Sequence, residues 1–163
     1  MIQFLLRFAD AARDRARRRL WAPKMASGRR AEDLAHRYLR GLGFRVVARN
    51  YRPRGGAGEI DLVCWERETL VFVEVKSRAS EEFGSPDRAI DQAKRDALLS
   101  SARDYARRAD VPWSRIRFDV VNVISTRPPA VSHIQAAFPA GQAYNTRHDG
   151  FAPGRTFPIA RIA

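Results

Sequence analysis

What this chain of 163 residues has little of narrows the field first. It has one cysteine, Cys64, set inside an apolar run, so no internal disulfide can form and a reducing, cytoplasmic setting is expected. Its three histidines, His36, His133 and His148, stand far apart, and none has a cysteine or histidine at zinc-finger spacing, which argues against a structural zinc. No run approaches the ~20 apolar residues that a spanning helix needs. Acidic side chains are scarce beside basic ones: 18 Asp and Glu face 30 Lys and Arg, a formal charge of +12. An excess of that sign favours polyanions, nucleic acid before anionic membrane.

A chain of this length has room for one domain with a true core. Residues 1–25 begin apolar (Ile2, Phe4, Leu5, Leu6, Phe8) and turn basic from Arg13 to Arg19, the wrong order for a secretory signal. An amphipathic membrane-surface helix, a basic arm for nucleic acid and an upstream extension all fit this stretch. A mobile, dispensable extension is expected, and membrane association is not. The domain is expected over 26–138. From Pro139 onward Gly, Pro, Asn and Arg dominate without periodicity, so 139–163 reads as a loose tail.

Within the domain, Ala31, Leu34, Ala35, Tyr38, Leu39 and Leu42 recur at steps of three and four, which predicts a helix over 28–41 stopped by Gly41 and Gly43. Its geometry puts Glu32 on the edge of the apolar stripe and Asp33 on the wet side. Three strands follow, at about 44–51, 58–65 and 69–77, joined by a flexible basic loop at 52–58 and a tight turn at Glu66-Arg67-Glu68. Connections this short make an antiparallel meander. Ser85-Pro86 then signals a helix start, and the helix is expected to run to about Ala109 with Ile90, Ala93, Ala97, Leu98, Ala102 and Tyr105 on one face. A strand over 115–124 returns, parallel to the third because a helix separates them. A fifth strand is expected over 133–138. The fold class is therefore α/β: a mixed sheet of a three-stranded antiparallel meander plus a parallel strand after a crossover helix, flanked by helices.

One strand breaks its own pattern. Leu70-Val71-Phe72-Val73-Glu74-Val75-Lys76 carries an acid and a base two residues apart, hence on one face. Charges in a buried strand are costly unless paired or metal-bound. Asp61, one strand earlier, can converge with Glu74 on a hard cation, Mg²⁺ or Mn²⁺, and the carbonyl of Val75 is a natural third ligand. Such an ion supplies what phosphodiester hydrolysis needs. Lys76 would stand near the scissile phosphate to orient water or offset charge. Glu32 could hold a second metal or a metal-bound water. Arg52, Arg54, Arg78 and Arg88 flank the site and are the candidates for backbone contacts with nucleic acid.

An acid, a spacer and then Glu-Val-Lys on a strand resembles the PD-(D/E)xK signature of the restriction-endonuclease-like fold. A longer pattern is more specific: Gly28-Arg-Arg-Ala-Glu32, Gly43-Phe44, Asn50-Tyr51-Arg52, Gly58-Glu-Ile-Asp-Leu62, Val71-Phe-Val-Glu-Val-Lys-Ser-Arg78, Phe83-Gly84 and Arg117-Phe-Asp-Val120. Together these resemble the YraN (UPF0102) family over about residues 26–138. That family is similar in core to archaeal Holliday-junction resolvases, and the resemblance implies a metal-dependent nuclease whose helix Glu and strand Asp, Glu and Lys correspond to Glu32, Asp61, Glu74 and Lys76. Pro53 to Ala57 departs from the pattern as an inserted-looking stretch.

The expected function is metal-dependent endonuclease action on structured or branched DNA, with a homodimer possible. A non-catalytic nucleic-acid-binding module of the same fold and an RNA-directed nuclease are the alternatives. Glu59, on the face of Asp61, is expected to pair with an arginine such as Arg52 or Arg78. Asp119, between Phe118 and Val120, reads as a buried structural acid. Lys94 and Arg95 fit a solvated helix face as well as a phosphate contact.

Overall fold

In a computed structural model, residues 27–54, 58–78, 91–140 and 159–161 are described. The extension over 1–25, the Ser85-Pro86 helix start, Arg88 and the Phe83-Gly84 motif fall outside them.

Among the described residues six strands form one sheet in chain order: β1 (Arg45–Tyr51), β2 (Ile60–Glu66), β3 (Thr69–Arg78), β4 (Ile116–Ile124), β5 (Ala130–Phe138) and β6 (Ala160–Arg161). Each neighbouring pair is antiparallel except β3 and β4, which run parallel from Leu70↔Ile116 to Arg78↔Ile124. The reason is the connection: helix α2 (Gln92–Arg108) lies between β3 and β4 in sequence, and a crossover is what lets consecutive strands share a direction. The expected meander and crossover are both present.

Each face of the sheet carries its own core. Helix α1, over 27–41, packs Ala31, Leu34, Ala35 and Leu39 against Leu62, Cys64, Val71, Val73, Val121 and Val123. On the other face α2 brings Leu98, Ala102 and Ala106 onto Val63, Leu70, Phe72, Phe118 and Val120. Alternation along β3 assigns the two sets, with Val71 and Val73 facing α1 and Leu70 and Phe72 facing α2. Central strands covered on both faces read as near-continuous apolar runs, as β3 and β4 do. Each large side chain removed from water there contributes about 1.5–3 kcal/mol.

Three details differ from expectation. Described helix α2 opens only at Gln92, because Asp91 is extended (φ −69°, ψ 164°) and its carboxylate caps the Lys94 N–H at 2.8 Å. Ala93 is therefore exposed, and the buried stripe passes through Leu98, Ser101, Ala102 and Ala106. Leu42 follows the helix end instead of extending its stripe and is 50% exposed. The tail is not wholly loose either: Ala160 and Arg161 pair with Val131 and Ala130, adding an edge strand that no local periodicity announced.

Gly58 fixes how closely α2 approaches the sheet. It sits at φ +141°, and a Cβ there would lie 2.8 Å from both the Ala97 carbonyl oxygen and Ser101 Oγ. Only glycine allows that contact. Tyr51 locks the same region, its hydroxyl donating to Asp104 at 2.5 Å while its ring meets Tyr105 edge-on at 4.9 Å.

Candidate active site

Glu74 and Lys76 continue the Leu70–Phe72 row of β3 and so face α2. Asp61 shares that face through its alternation with Val63, and the β2–β3 register places it next in line opposite Glu74, one rung beyond Leu62↔Val73. The ladder gives way there. Asp61 Oδ2 accepts the Val75 N–H at 2.7 Å, a bond that cross-strand pairing would otherwise use. The N–H and C=O of one strand residue leave on the same side, so the Val75 carbonyl also faces Asp61.

The electrostatics of this pair are strained. Glu74 is 5% exposed, and Lys76 Nζ lies 3.0 Å from its Oε1 while Lys94 Nζ lies 3.2 Å from its Oε2. The second contact is an ion pair without hydrogen-bond geometry, which leaves Oε2 a buried acceptor with no hydrogen-bond donor. Asp61 is pushed up to about 7, first by burial and then by the charge of Glu74, with a smaller push from Glu32. The Val75 N–H and Lys94 oppose the rise. A carboxyl in that state at neutral pH gains most from a cation arriving beside it.

Lys94 is the residue that sequence reasoning undervalued. It stands four residues before Leu98, so helical spacing already placed it above the buried stripe. Asn122 was missed as well. It is the register neighbour of Lys76 on β4 and of Ser132 on β5, is 2% exposed, and keeps Oδ1 without a hydrogen-bond partner. A lone polar residue between Val121 and Val123 is the same signal that singled out Glu74.

Glu32 comes from α1, on the other side of the sheet, half-buried and within electrostatic reach of Asp61. Asp33 is exposed and accepts from Arg49 at 2.5 Å. Arg52 pairs with Glu59 at 2.7 Å, as expected of Glu59, while Arg54 and Arg78 are exposed. Among the described residues no three His, Cys, Asp or Glu side chains converge as a metal-binding set. Two carboxylates, Asp61 and Glu74, act on each other electrostatically beside the Val75 backbone, whose carbonyl strand geometry turns toward Asp61. That donor set suits a hard divalent ion that keeps several waters, and such an ion would take the place on Glu74 Oε2 that the Lys94 ammonium holds at 3.2 Å.

The Arg117-Phe-Asp-Val120 motif has a different task. Asp119, 1% exposed, takes Arg117 Nε and Nη2 at 2.8 and 2.9 Å, His133 Nε2 at 2.9 Å and the Ala136 N–H at 3.0 Å. Arg117 also reaches Glu66 at 2.6 Å and lies over the Phe44 ring. Burial by itself would raise Asp119, but the hydrogen bonds from His133 and Arg117 hold it below the usual carboxylate range. Its contacts bridge β4 to β5 across the register shift after Phe118, on the α1 face. Asp119 is the structural acid its apolar neighbours implied. Cys64, beneath the same layer, is driven up to about 12 by burial and by Asp119, so it is an inert core residue.

Fold and site together define a mixed α/β domain with a buried Glu74, a half-buried Asp61 and two lysines at the rim of one sheet face. Sequence comparison then places it. The family model described as "Uncharacterised protein family UPF0102" matches residues 31–123. A UPF0102 protein of Solibacter usitatus is 54% identical over 138 residues, covering 85% of this chain and all of that relative. A UPF0102 protein of Nocardia farcinica is 42% identical over 117 residues, 71% of this chain and 91% of its own length. One of Chlorobaculum tepidum is 38% identical over 121 residues, 70% and 92% respectively. The chain belongs to the UPF0102 family. No helix among the described residues is long and apolar enough to cross a membrane.

Proposed function

We propose that this protein is a metal-dependent endonuclease that hydrolyses phosphodiester bonds in structured or branched DNA. The observation that carries the reading is Glu74: a buried carboxylate opposite a second one, Asp61, pushed up to about 7, with lysines on both of its oxygens. Stability alone does not call for that arrangement, since a well-packed apolar group in its place would serve as well or better.

Asp61, Glu74 and the Val75 carbonyl would hold Mg²⁺ or Mn²⁺. That ion, when bound, supplies Lewis acidity and a water of lowered pKa. The protein residues do the rest. Asp61 gives up its proton to become a ligand. Lys76, now tied to Glu74 at 3.0 Å, is freed to set its ammonium against the charge that develops on the scissile phosphate. Lys94 holds a second positive charge on the same face. Arg54 and Arg78 are exposed and suit phosphate contacts, as does Arg52 beside Glu59. The resemblance to PD-(D/E)xK nucleases noted above supports the same chemistry, and the basic charge of the chain supports a polyanionic substrate.

The test is cleavage of four-way junction, flap, duplex and single-stranded DNA and of RNA, with Mg²⁺, Mn²⁺ or EDTA, by wild type and K76A. The expected outcome is metal-dependent cutting of branched DNA, lost in K76A while binding persists. Equal cutting by K76A would show that the site is misassigned. Salt-sensitive binding without cleavage of any substrate would leave the domain a nucleic-acid-binding module, and preferential cutting of RNA would move the substrate class.

A further inference from the structure

A concavity lies on the α1 face, across the sheet from Asp61 and Glu74. It is a cleft of about 490 Å³ between residues 27–34 of α1, the ends of β3 and β4, and the loop over 125–129. Its floor is apolar, with Leu34 and Val123, and its rim is basic and hydroxylated, with Arg30, Arg127, Ser77 and Thr126.

Four observations bear on what fits there. The position is the carboxyl ends of the sheet's parallel pair, where crevices in open α/β sheets receive ligands. The walls are braced: the Ser125 N–H donates to the Arg78 carbonyl at 2.9 Å, and Thr126 Oγ1 donates to the Pro128 carbonyl at 2.8 Å. The charge is available, because Arg30 and Arg127 form no ion pair with a carboxylate among the described residues, whereas Arg49, Arg52 and Arg117 all do. The size exceeds what an inorganic anion needs and falls in the range of about 300–1,000 Å³ typical of small organic ligands. An apolar floor under a cationic rim matches a flat base joined to a phosphate.

We propose that this cleft is a subsite for one unpaired nucleotide of the polynucleotide, its phosphate at Arg30 and Arg127 and its base on the floor of Leu34 and Val123. The inference deepens the nuclease reading, resting on it for the cutting but not for the binding. Ser77 directly follows Lys76 in β3, so the two side chains leave on opposite faces from Cα atoms about 3.8 Å apart. A strand that crosses the end of β3 can present a phosphodiester to Lys76 and seat a neighbouring unstacked nucleotide in the cleft. Such a seat favours substrates with unpaired nucleotides beside the cut, such as flaps and junction arms, over continuous duplex.

The test uses the full chain in EDTA, which withholds the divalent ion that the proposed cleavage needs. Thymidine 5′-monophosphate is titrated against the ¹⁵N-labelled protein, with inorganic phosphate as the control. The expected result is a saturable shift of the Ser77, Ile124 and Thr126 amides, at least about tenfold weaker with phosphate alone and in R30A/R127A. Binding of single-stranded oligonucleotide to that variant should also show a salt slope shallower by about 1.4, two contacts at ~0.7 each. R127E gives the same readout should the double variant lose its native spectrum. No shift with the mononucleotide, an equal shift with phosphate, or unchanged binding by the variants would overturn the proposal. Mononucleotide binding in a protein that cuts nothing would uphold the subsite and remove the nuclease reading, and cutting without mononucleotide binding would do the reverse.

Discussion

Replacing Asp61 with asparagine keeps an oxygen for the Val75 N–H and removes the titrating group. In the native protein this carboxyl is raised from 3.8 to about 7. The folded state therefore holds the Asp61 proton more tightly than the unfolded chain does. Its contribution to stability is complete at a pH below the unfolded value and is lost as pH rises toward about 7. A difference of roughly 3 pH units at about 1.4 kcal/mol each sets a ceiling near 4 kcal/mol, and because Glu74 shares the repulsion, about 2–3 kcal/mol is expected for this residue alone. Urea unfolding of wild type and D61N in EDTA, at about pH 5 and about pH 8, measures it. The stability difference should swing toward the variant by about 2–3 kcal/mol between the two conditions. A difference that stays flat with pH would refute the reasoning, because it would mean that Asp61 is charged throughout and that the two carboxylates do not feel each other.

Under the proposed function the same proton would govern metal uptake. Mg²⁺ affinity, read by calorimetry, should rise close to tenfold per pH unit below about 7 and level off above it, with a proton released on binding. Asp119→Ala leaves Arg117, His133 and the Ala136 N–H facing a void, so the melting temperature should fall by about 10 °C or more in thermal unfolding. Gly58→Ala forces a Cβ onto the Ala97 carbonyl from a left-handed backbone, and about 2 kcal/mol should be lost in urea unfolding.

Much of the architecture is local, and local patterns are legible. The stripe through Ala31, Leu34, Ala35 and Leu39 yields α1, and alternation with short turns yields β1 to β3. The helix between β3 and β4 dictates their parallel pairing. Asp61, Glu74 and Lys76 stood out because a charge inside an apolar strand demands a reason. Where the signals misled, a tertiary contact or a competing cap had prevailed. Asp91 caps α2 and shifts its described start to Gln92, and Leu42 passes out of the stripe at the helix end. Ala160 and Arg161 join the sheet only because β5 offers them a free edge.

The sequence by itself determined the order of elements from α1 to β5, the mixed sheet and a carboxylate–lysine set on one strand face, because these follow from periodicities of two and 3.6 residues. Only the tertiary structure decided that Lys94 leans onto Glu74, that Asp61 keeps its proton near neutrality, that Asp119 ties Arg117 to His133, and that a basic cleft opens behind Lys76. Those properties depend on burial and on distances between groups remote in the chain. Neither quantity exists until the two helices have closed over the sheet.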